Sequence, residues 1–436
     1  MLRVGILGQD TSVATFSHVS EIDLRQHLEW RQVDADSLDA YDAEVARTQG
    51  WLHNQFFEAI ETRPPWKVLC LRPGNEDVAK AVNASPDGFV DVFFAFHHSI
   101  ADGSGGREFH QHLLAALQSQ SATVAESDVE YALSFPEAPH LPESQEEAVA
   151  FHNGYLFLLR TVWDMIAPAF LKPRKAPIWG GPDVDFAFPY VTRVRPITIA
   201  GDALQSFLAA SRQQDNTITT ALHGVILSSL AKRLPDAQSF ASSTPISLRP
   251  WIKAPPADAE VKDKLRTCIT GHFSTHPPAV LKTLRTGSET DVEATVWQVG
   301  KTVKAELKKV TSKLPNDDPA GLLPLVKDFI GYWQQKDGKE RGASWEISNI
   351  GVLVAPAQAD GVEAASGWKH LSAIMSNGAM VAGCAIGTNL ISVKGGPLTV
   401  TLSWQEGVVS EEVIEGLASD IVDFVDKLHK KGNSAK

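Results

Sequence analysis

The sequence predicts an α/β (α+β) fold with mixed sheets, built as two halves. Three observations predict it. Segments with strand alternation and segments with helical spacing are interleaved, without the regular strand–helix alternation of a doubly wound sheet. The chain has 436 residues, 43% of them hydrophobic, which suits two or three cores at roughly 100–200 residues per domain. The stretch "LKPRKAPIWGGPDVDFAFPYVTRVRP" (171–196) is dense in Pro and Gly and reads as a crossover. It divides the chain into an N-terminal domain, 1–185, and a C-terminal domain, 186–436.

In order along the chain, "MLRVGILG" reads as a short strand. Residues 43–62 carry apolar side chains at near-helical spacing, and "RPPWKVLCLRPG" then breaks into a strand. Residues 88–98 alternate as a strand, and 107–120 read as a helix. Residues 121–148 are polar and read as a loop, whereas 148–170 form a long apolar stretch that, because it carries charges, reads as a core helix. In the second half, a strand at "TRVRPITIA" precedes helices 202–213 and 217–233, then strands at 239–250 and 266–277. An amphipathic helix is expected over 291–314, a strand with a turn over 343–354, and paired strands over 378–407. A last helix, 410–430, has Ser410 as cap, Glu in its first turn and Lys and His in its last.

Composition narrows the function. The formal net charge is −12, so the basic footprint of a nucleic-acid binder is missing. Cys70, Cys268 and Cys384 lie far apart and form no CxxC pair, which argues against a disulfide framework or a structural zinc site. The first residues lack the apolar core and cleavage site of a signal peptide, and no apolar run reaches the roughly 18 residues of a membrane span. A cytoplasmic protein is the expectation.

The chemistry concentrates in "DVFFAFHHSIADGSGG" (91–106). Strand alternation would send His97 and His98 to opposite faces, so the two imidazoles cannot share one task. His98, Asp102 and Gly103 form H-x-x-x-D-G, with Gly103 allowing a tight turn and Gly105 and Gly106 extending that freedom. A neutral imidazole at a strand end suits removal of a proton from a hydroxyl or amine. Asp102 could orient the imidazole as in a triad, or pair with a basic residue and stiffen the turn. The structural alternative is a core histidine pair followed by a helix-capping Asp. A metal cluster of His97, His98, Asp102, His110 and His112 is disfavoured, because residues two apart on a helix point about 200° apart. No metal is expected.

"HHSIADG" resembles the HHxxxDG signature of the chloramphenicol-acetyltransferase-like superfamily, which includes nonribosomal peptide condensation domains, plant BAHD acyltransferases and alcohol acetyltransferases. Further segments are similar in the expected order: "PPWKVLCL" (64–71), "TITTALHGVILSSLAKRL" (217–234), "STPISLRP" (243–250), "TGHFSTHP" (270–277), "EISNIGV" (346–352) and "LTVTLSWQEGVVSEEVIEGL" (398–417). The likeness is strongest to alcohol-acetyltransferase-like proteins. The D-F-G-W-G segment of the plant enzymes is not found. The resemblance implies two chloramphenicol-acetyltransferase-like domains with a tunnel between them. It implies an acyltransferase, taking acyl-CoA (acetyl-CoA) as co-substrate and a small-molecule alcohol or amine as acceptor, with no permanently bound cofactor. His98 would be the general base, with His97 and Gly103 supporting, and Asp102 would pair with Arg249. Ser348 and Asn349 would lie near the tunnel and donate to substrate or oxyanion. An acyl carrier protein as donor, and a non-catalytic binding module on the same fold, are the alternatives.

No G-x-S-x-G and no G-x-x-x-x-G-K-[ST] occurs, against an acyl-serine hydrolase or a P-loop. His272 and His276 read as structural. Lys172, Arg174, Lys175, Lys308 and Lys309 are the basic residues that could meet the phosphates of coenzyme A. Trp179 and Trp404 are candidate tunnel or rim residues.

Overall fold

The computed structural model describes residues 1–81, 88–119, 130–168, 171, 176–253, 265–355 and 367–434. Among them the strands segregate along the chain. The first half holds β1 (Val4–Leu7), β2 (Thr15–His18), β3 (Glu21–Asp23), β4 (Leu28–Val33), β5 (Trp66–Pro73), β6 (Asp91–Phe96) and β7 (Ala132–Ser134). β1 pairs with β2 and β3 with β7, while β4–β5–β6 form a three-stranded mixed sheet. The second half holds β8 (Thr192–Ile199), β9 (Phe240–Ser247), β10 (Ile269–His276), β11 (Trp345–Leu353), β12 (Ile386–Val393) and β13 (Leu398–Gln405). These form one six-stranded sheet in the order β10-β9-β11-β12-β13-β8. β11 runs parallel to β9 and β12, and the other neighbours are antiparallel, so the sheets are mixed as expected.

The helices in chain order are α1 (Leu38–His53), α2 (Glu76–Ala81), α3 (Gly103–Ser119), α4 (Gln145–Ala148), α5 (Tyr155–Ile166), α6 (Gly201–Gln213), α7 (Ile218–Arg233), α8 (Pro278–Thr286), α9 (Glu289–Thr311), α10 (Phe329–Gln334) and α11 (Glu411–Ser434). α7 is buried on every side from Thr220 to Ala231. It lies in the main core with Phe207, Val296, Trp345, Ile347, Leu390 and Ile421. Gly224 on α7 lets α9 come close, since a Cβ there would fall 2.1 Å from the Val296 carbonyl oxygen. Trp345 is fully buried, donates from Nε1 to His223 Nδ1 at 3.1 Å, and stacks on His276 at 5.2 Å.

The two halves meet along α1, α3 and β11. Asn54 exchanges two hydrogen bonds with the Thr192 backbone. Arg107 and Gln111 on α3 donate to the Ile350 and Val354 carbonyls. His53 Nε2 lies 2.6 Å from Ser376 Oγ across the same seam, and burial pushes the His53 ring down to about 4.

Several expectations are corrected. The helix over 43–62 is α1, which starts at Leu38 under a Ser37 cap and ends at His53. Strand β6 stops at Phe96, before the histidines. The helix expected from 107 starts at Gly103, because Asp102 accepts the Gly105 N–H in its first turn. The apolar stretch 148–170 is core at its start, where Ala148 and Val149 are buried with Leu248, Ile252 and Cys268. The helix in it is Tyr155–Ile166, on which Leu156, Leu159 and Ile166 are exposed, Leu156 by 84%. Helical spacing fixes a stripe, not the side on which a partner lies. The paired strands begin at Ile386, not 378. Trp404 is buried in the main core and Trp179 packs against it, so neither is a rim residue. Among the described residues no helix is long and apolar enough to cross a membrane.

Candidate active site

The motif lies on the turn between β6 and α3. The Pro65 carbonyl receives the His97 N–H at 2.9 Å, and the Ile100 N–H bonds back to the His97 carbonyl at 3.0 Å, closing the turn. His97 Nδ1 lies 2.8 Å from Ser99 Oγ, and the His97 ring is therefore tied to its own loop. His98 and His97 are both exposed, while Ile100, Ala101 and Asp102 behind them are buried. The histidines do not alternate across a strand as expected, because the strand has already ended. The His98 carbonyl is held from the second half, by Thr267 Oγ1 at 2.7 Å.

Asp102 faces inward and is 3% exposed. Arg249 Nη1 donates to its Oδ2 at 2.7 Å, and Arg249 Nη2 to its Oδ1 at 3.0 Å. Backbone N–H groups of Gly105 and Cys268 add two further bonds at 3.1 Å each. A bidentate Arg–carboxylate pair with both oxygens otherwise satisfied is a rigid unit. Arg249 also donates to the Arg266 carbonyl at 3.1 Å. The carboxylate that begins α3 in the first half is thus bolted to the segments after β9 and before β10 in the second. No hydrogen bond joins Asp102 to either histidine; the triad option is not the arrangement seen.

Gly103 was expected to relax the turn. Its φ is not positive, so conformational freedom is not its role. Space is: a Cβ there would fall 2.6 Å from Ile350 Cγ2 and 2.7 Å from Met375 Cε. Ile350 and Met375 both belong to the second half, and glycine lets them pack on the motif.

Ser348 and Asn349 sit on β11 next to Ile350 but point to opposite sides. Asn349 donates from Nδ2 to Thr219 Oγ1 at 2.9 Å and accepts the Gly351 N–H at 2.8 Å. Ser348 shares the opposite face with Glu346 and is half-buried. Lys308 and Lys309 are exposed on the last turn of α9, where cations meet the helix dipole. Neither forms an ion pair or hydrogen bond with the motif. Lys172, Arg174 and Lys175 lie outside the described residues. Among the described residues no three His, Cys, Asp or Glu side chains are placed to hold a metal. His272 and His276 are on β10, bonded to Glu306 and Ser242.

Sequence reasoning missed Thr267, the Cys268 N–H and Arg107. Their signals are non-local: each meets the motif or its support across the seam, and "RTCIT" (266–270) carries no distinctive pattern. It also missed Glu346, although an acid inside an otherwise apolar strand segment was visible.

The family model described as alcohol acetyltransferase matches residues 37–428. A curated relative, the probable alcohol acetyltransferase FCK4 of Fusarium pseudograminearum, is 28% identical over 443 residues, covering 99% of this chain and 84% of the relative. Among solved structures, the TRI3 trichothecene 15-O-acetyltransferase of Fusarium sporotrichioides superposes with a TM-score of 0.63 at 14% identity, covering 98% of this chain and 82% of that one. The first condensation domain of the CDA synthetase gives 0.55 at 11% identity, covering 98% and 84%.

Proposed function

Given that the chain belongs to the alcohol acetyltransferase family and is an acyltransferase, we propose that it moves an acyl group from a coenzyme A thioester to a hydroxyl of a small apolar acceptor, with His98 as general base. The observation that carries this reading is an exposed His98 on a turn whose far side is clamped by the buried Asp102–Arg249 pair. Positioning of this kind is a large part of what a general base needs.

The step balances without a covalent acyl-enzyme. His98 takes the hydroxyl proton as the oxygen attacks the thioester carbonyl. The C–O bond forms and the carbonyl oxygen becomes an oxyanion. On collapse the C–S bond breaks, and the proton on His98 passes to the departing sulfur, leaving ester and free thiol. Of Ser348 and Asn349, Asn349 is engaged with Thr219 and the Gly351 N–H, and the half-buried Ser348 would donate to the oxyanion. Asp102 and Arg249 act by holding the loop, and His97 by its bond to Ser99, not by proton transfer. The donor and acceptor meet at the seam between halves 1–185 and 186–436.

The test is thiol release from acetyl-CoA with a panel of apolar alcohols, together with intact mass of the protein after incubation without acceptor. Alcohol-dependent release and an unmodified protein mass are expected. An acetylated protein would remove the direct-transfer step, and release only from an acyl carrier protein would replace the donor.

A further inference from the structure

The face of the six-stranded sheet turned away from the main core holds a carboxylate in an unusual place. Side chains alternate along a strand, and Trp345 and Ile347 on β11 are fully buried in the core. Glu346 and Ser348 therefore point the other way. Glu346 is half-buried and accepts a hydrogen bond from Ser243 Oγ at 3.2 Å. Among the described residues no cation pairs with it. On β12 its neighbour is Gly387, beside which Ser403 Oγ fills the space a Cβ would take. Across β9, the register Phe273–Ser243–Glu346 puts Phe273 on the same face, and that ring is 61% exposed. Two positions along, Ser348 neighbours Asn389, whose Nδ2 is buried without a partner, at 1% exposure. Farther along β11, where the pairing with β12 shifts register after Asn349, Ile350 packs on Gly103 of the motif. An acceptor carboxyl, an exposed aromatic ring and an unpaired buried amide thus share one face leading to the His98 turn.

We propose that Glu346 reads the acceptor: it takes a hydrogen bond from a second donor group, hydroxyl or ammonium, at the far end of an otherwise apolar molecule, with the exposed Phe273 ring level with that end. This rests on the acyl-transfer reading of His98. A half-buried carboxyl whose remaining acceptor capacity would go unused discriminates against molecules lacking the donor.

The probes are decan-1-ol, decane-1,10-diol and 10-aminodecan-1-ol, used with acetyl-CoA and followed by thiol release. In the wild type, kcat/KM for the diol or the amino alcohol exceeds that for decan-1-ol by about ten-fold or more. In Glu346→Ala the ratio falls to about one. In Glu346→Gln, which keeps the shape, the preference for the amino alcohol falls and that for the diol is partly kept. Calorimetric binding of the same three molecules reads the site without turnover and follows the same order. Equal ratios, or equal binding, in wild type and Glu346→Ala overturn the proposal. Glu346-dependent binding with no thiol release from any alcohol would leave this subsite standing and remove the acyl-transfer reading instead.

Discussion

Replacing Asp102 by Asn tests the clamp behind His98. The carboxylate is 3% exposed and receives four N–H donors, two from Arg249 and one each from Gly105 and Cys268. The amide turns one of its two oxygens into a donor. Whichever oxygen is lost, one Arg249 N–H and one backbone N–H then face a donor. The Arg249 side chain is 13% exposed and keeps its charge. Removing one partner of a buried ion pair costs about 3–5 kcal/mol. At about 2–4 °C per kcal/mol for cooperative units of 150–250 residues, the melting temperature should fall by about 6–20 °C. Differential scanning calorimetry of Asp102→Asn, Arg249→Met and the double variant gives the full cycle. The double variant leaves no orphaned charge, so its loss should be smaller than the sum of the two single losses by about 2 kcal/mol or more. An unchanged melting temperature in Asp102→Asn, or strict additivity, would refute the reasoning.

Gly103→Ala should lower both the melting temperature and turnover, because overpacking against Ile350 and Met375 costs about 1–3 kcal/mol; Gly342→Ala, with nothing within 4 Å, should change neither. Trp345→Phe leaves His223 Nδ1 without its donor and a gap in a fully buried site, a loss of about 2–4 kcal/mol readable by urea denaturation. Stability should also fall in mild acid. Burial pushes His223 down to about 3 and His276 to about 4, whereas the unfolded chain takes these protons near pH 6.5. The stability they contribute is present above pH 6.5 and is lost as pH falls toward 4, at about 1.4 kcal/mol per pH unit for each ring. Asp91, raised to about 6 by burial, works in the opposite direction. His223→Gln isolates the histidine part: its melting temperature should drop less between pH 7 and pH 5 than that of the wild type, and equal drops would contradict the assignment.

The strands of the second half were legible because alternation and β-branched residues are local signals: "RVRPITI" and "LTVTLSW" read as strands and are strands. Their order in the sheet was not, because β11 lies between β9 and β12 through pairings a hundred residues apart in the chain for Ser243 and Glu346. The motif was legible as a unit. Its support was not: the Cys268 N–H reaches Asp102 across 166 residues, and a backbone group has no sequence signature. Gly103 was picked out for the wrong physical reason, conformation instead of clearance, since the side chains it makes room for come from residues 350 and 375. The apolar run "YLFLLRTVWDMI" shows the limit of periodicity most plainly: it is a helix, but Tyr155, Leu156 and Leu159 face solvent.

The most direct measurement is acetyl-CoA thiol release, with one accepted alcohol, by wild type, His98→Ala and His97→Ala at matched folded concentration. Loss by a factor of about 100 or more in His98→Ala, with His97→Ala retaining measurable turnover, is the predicted result. Turnover that survives removal of the His98 ring would contradict the account.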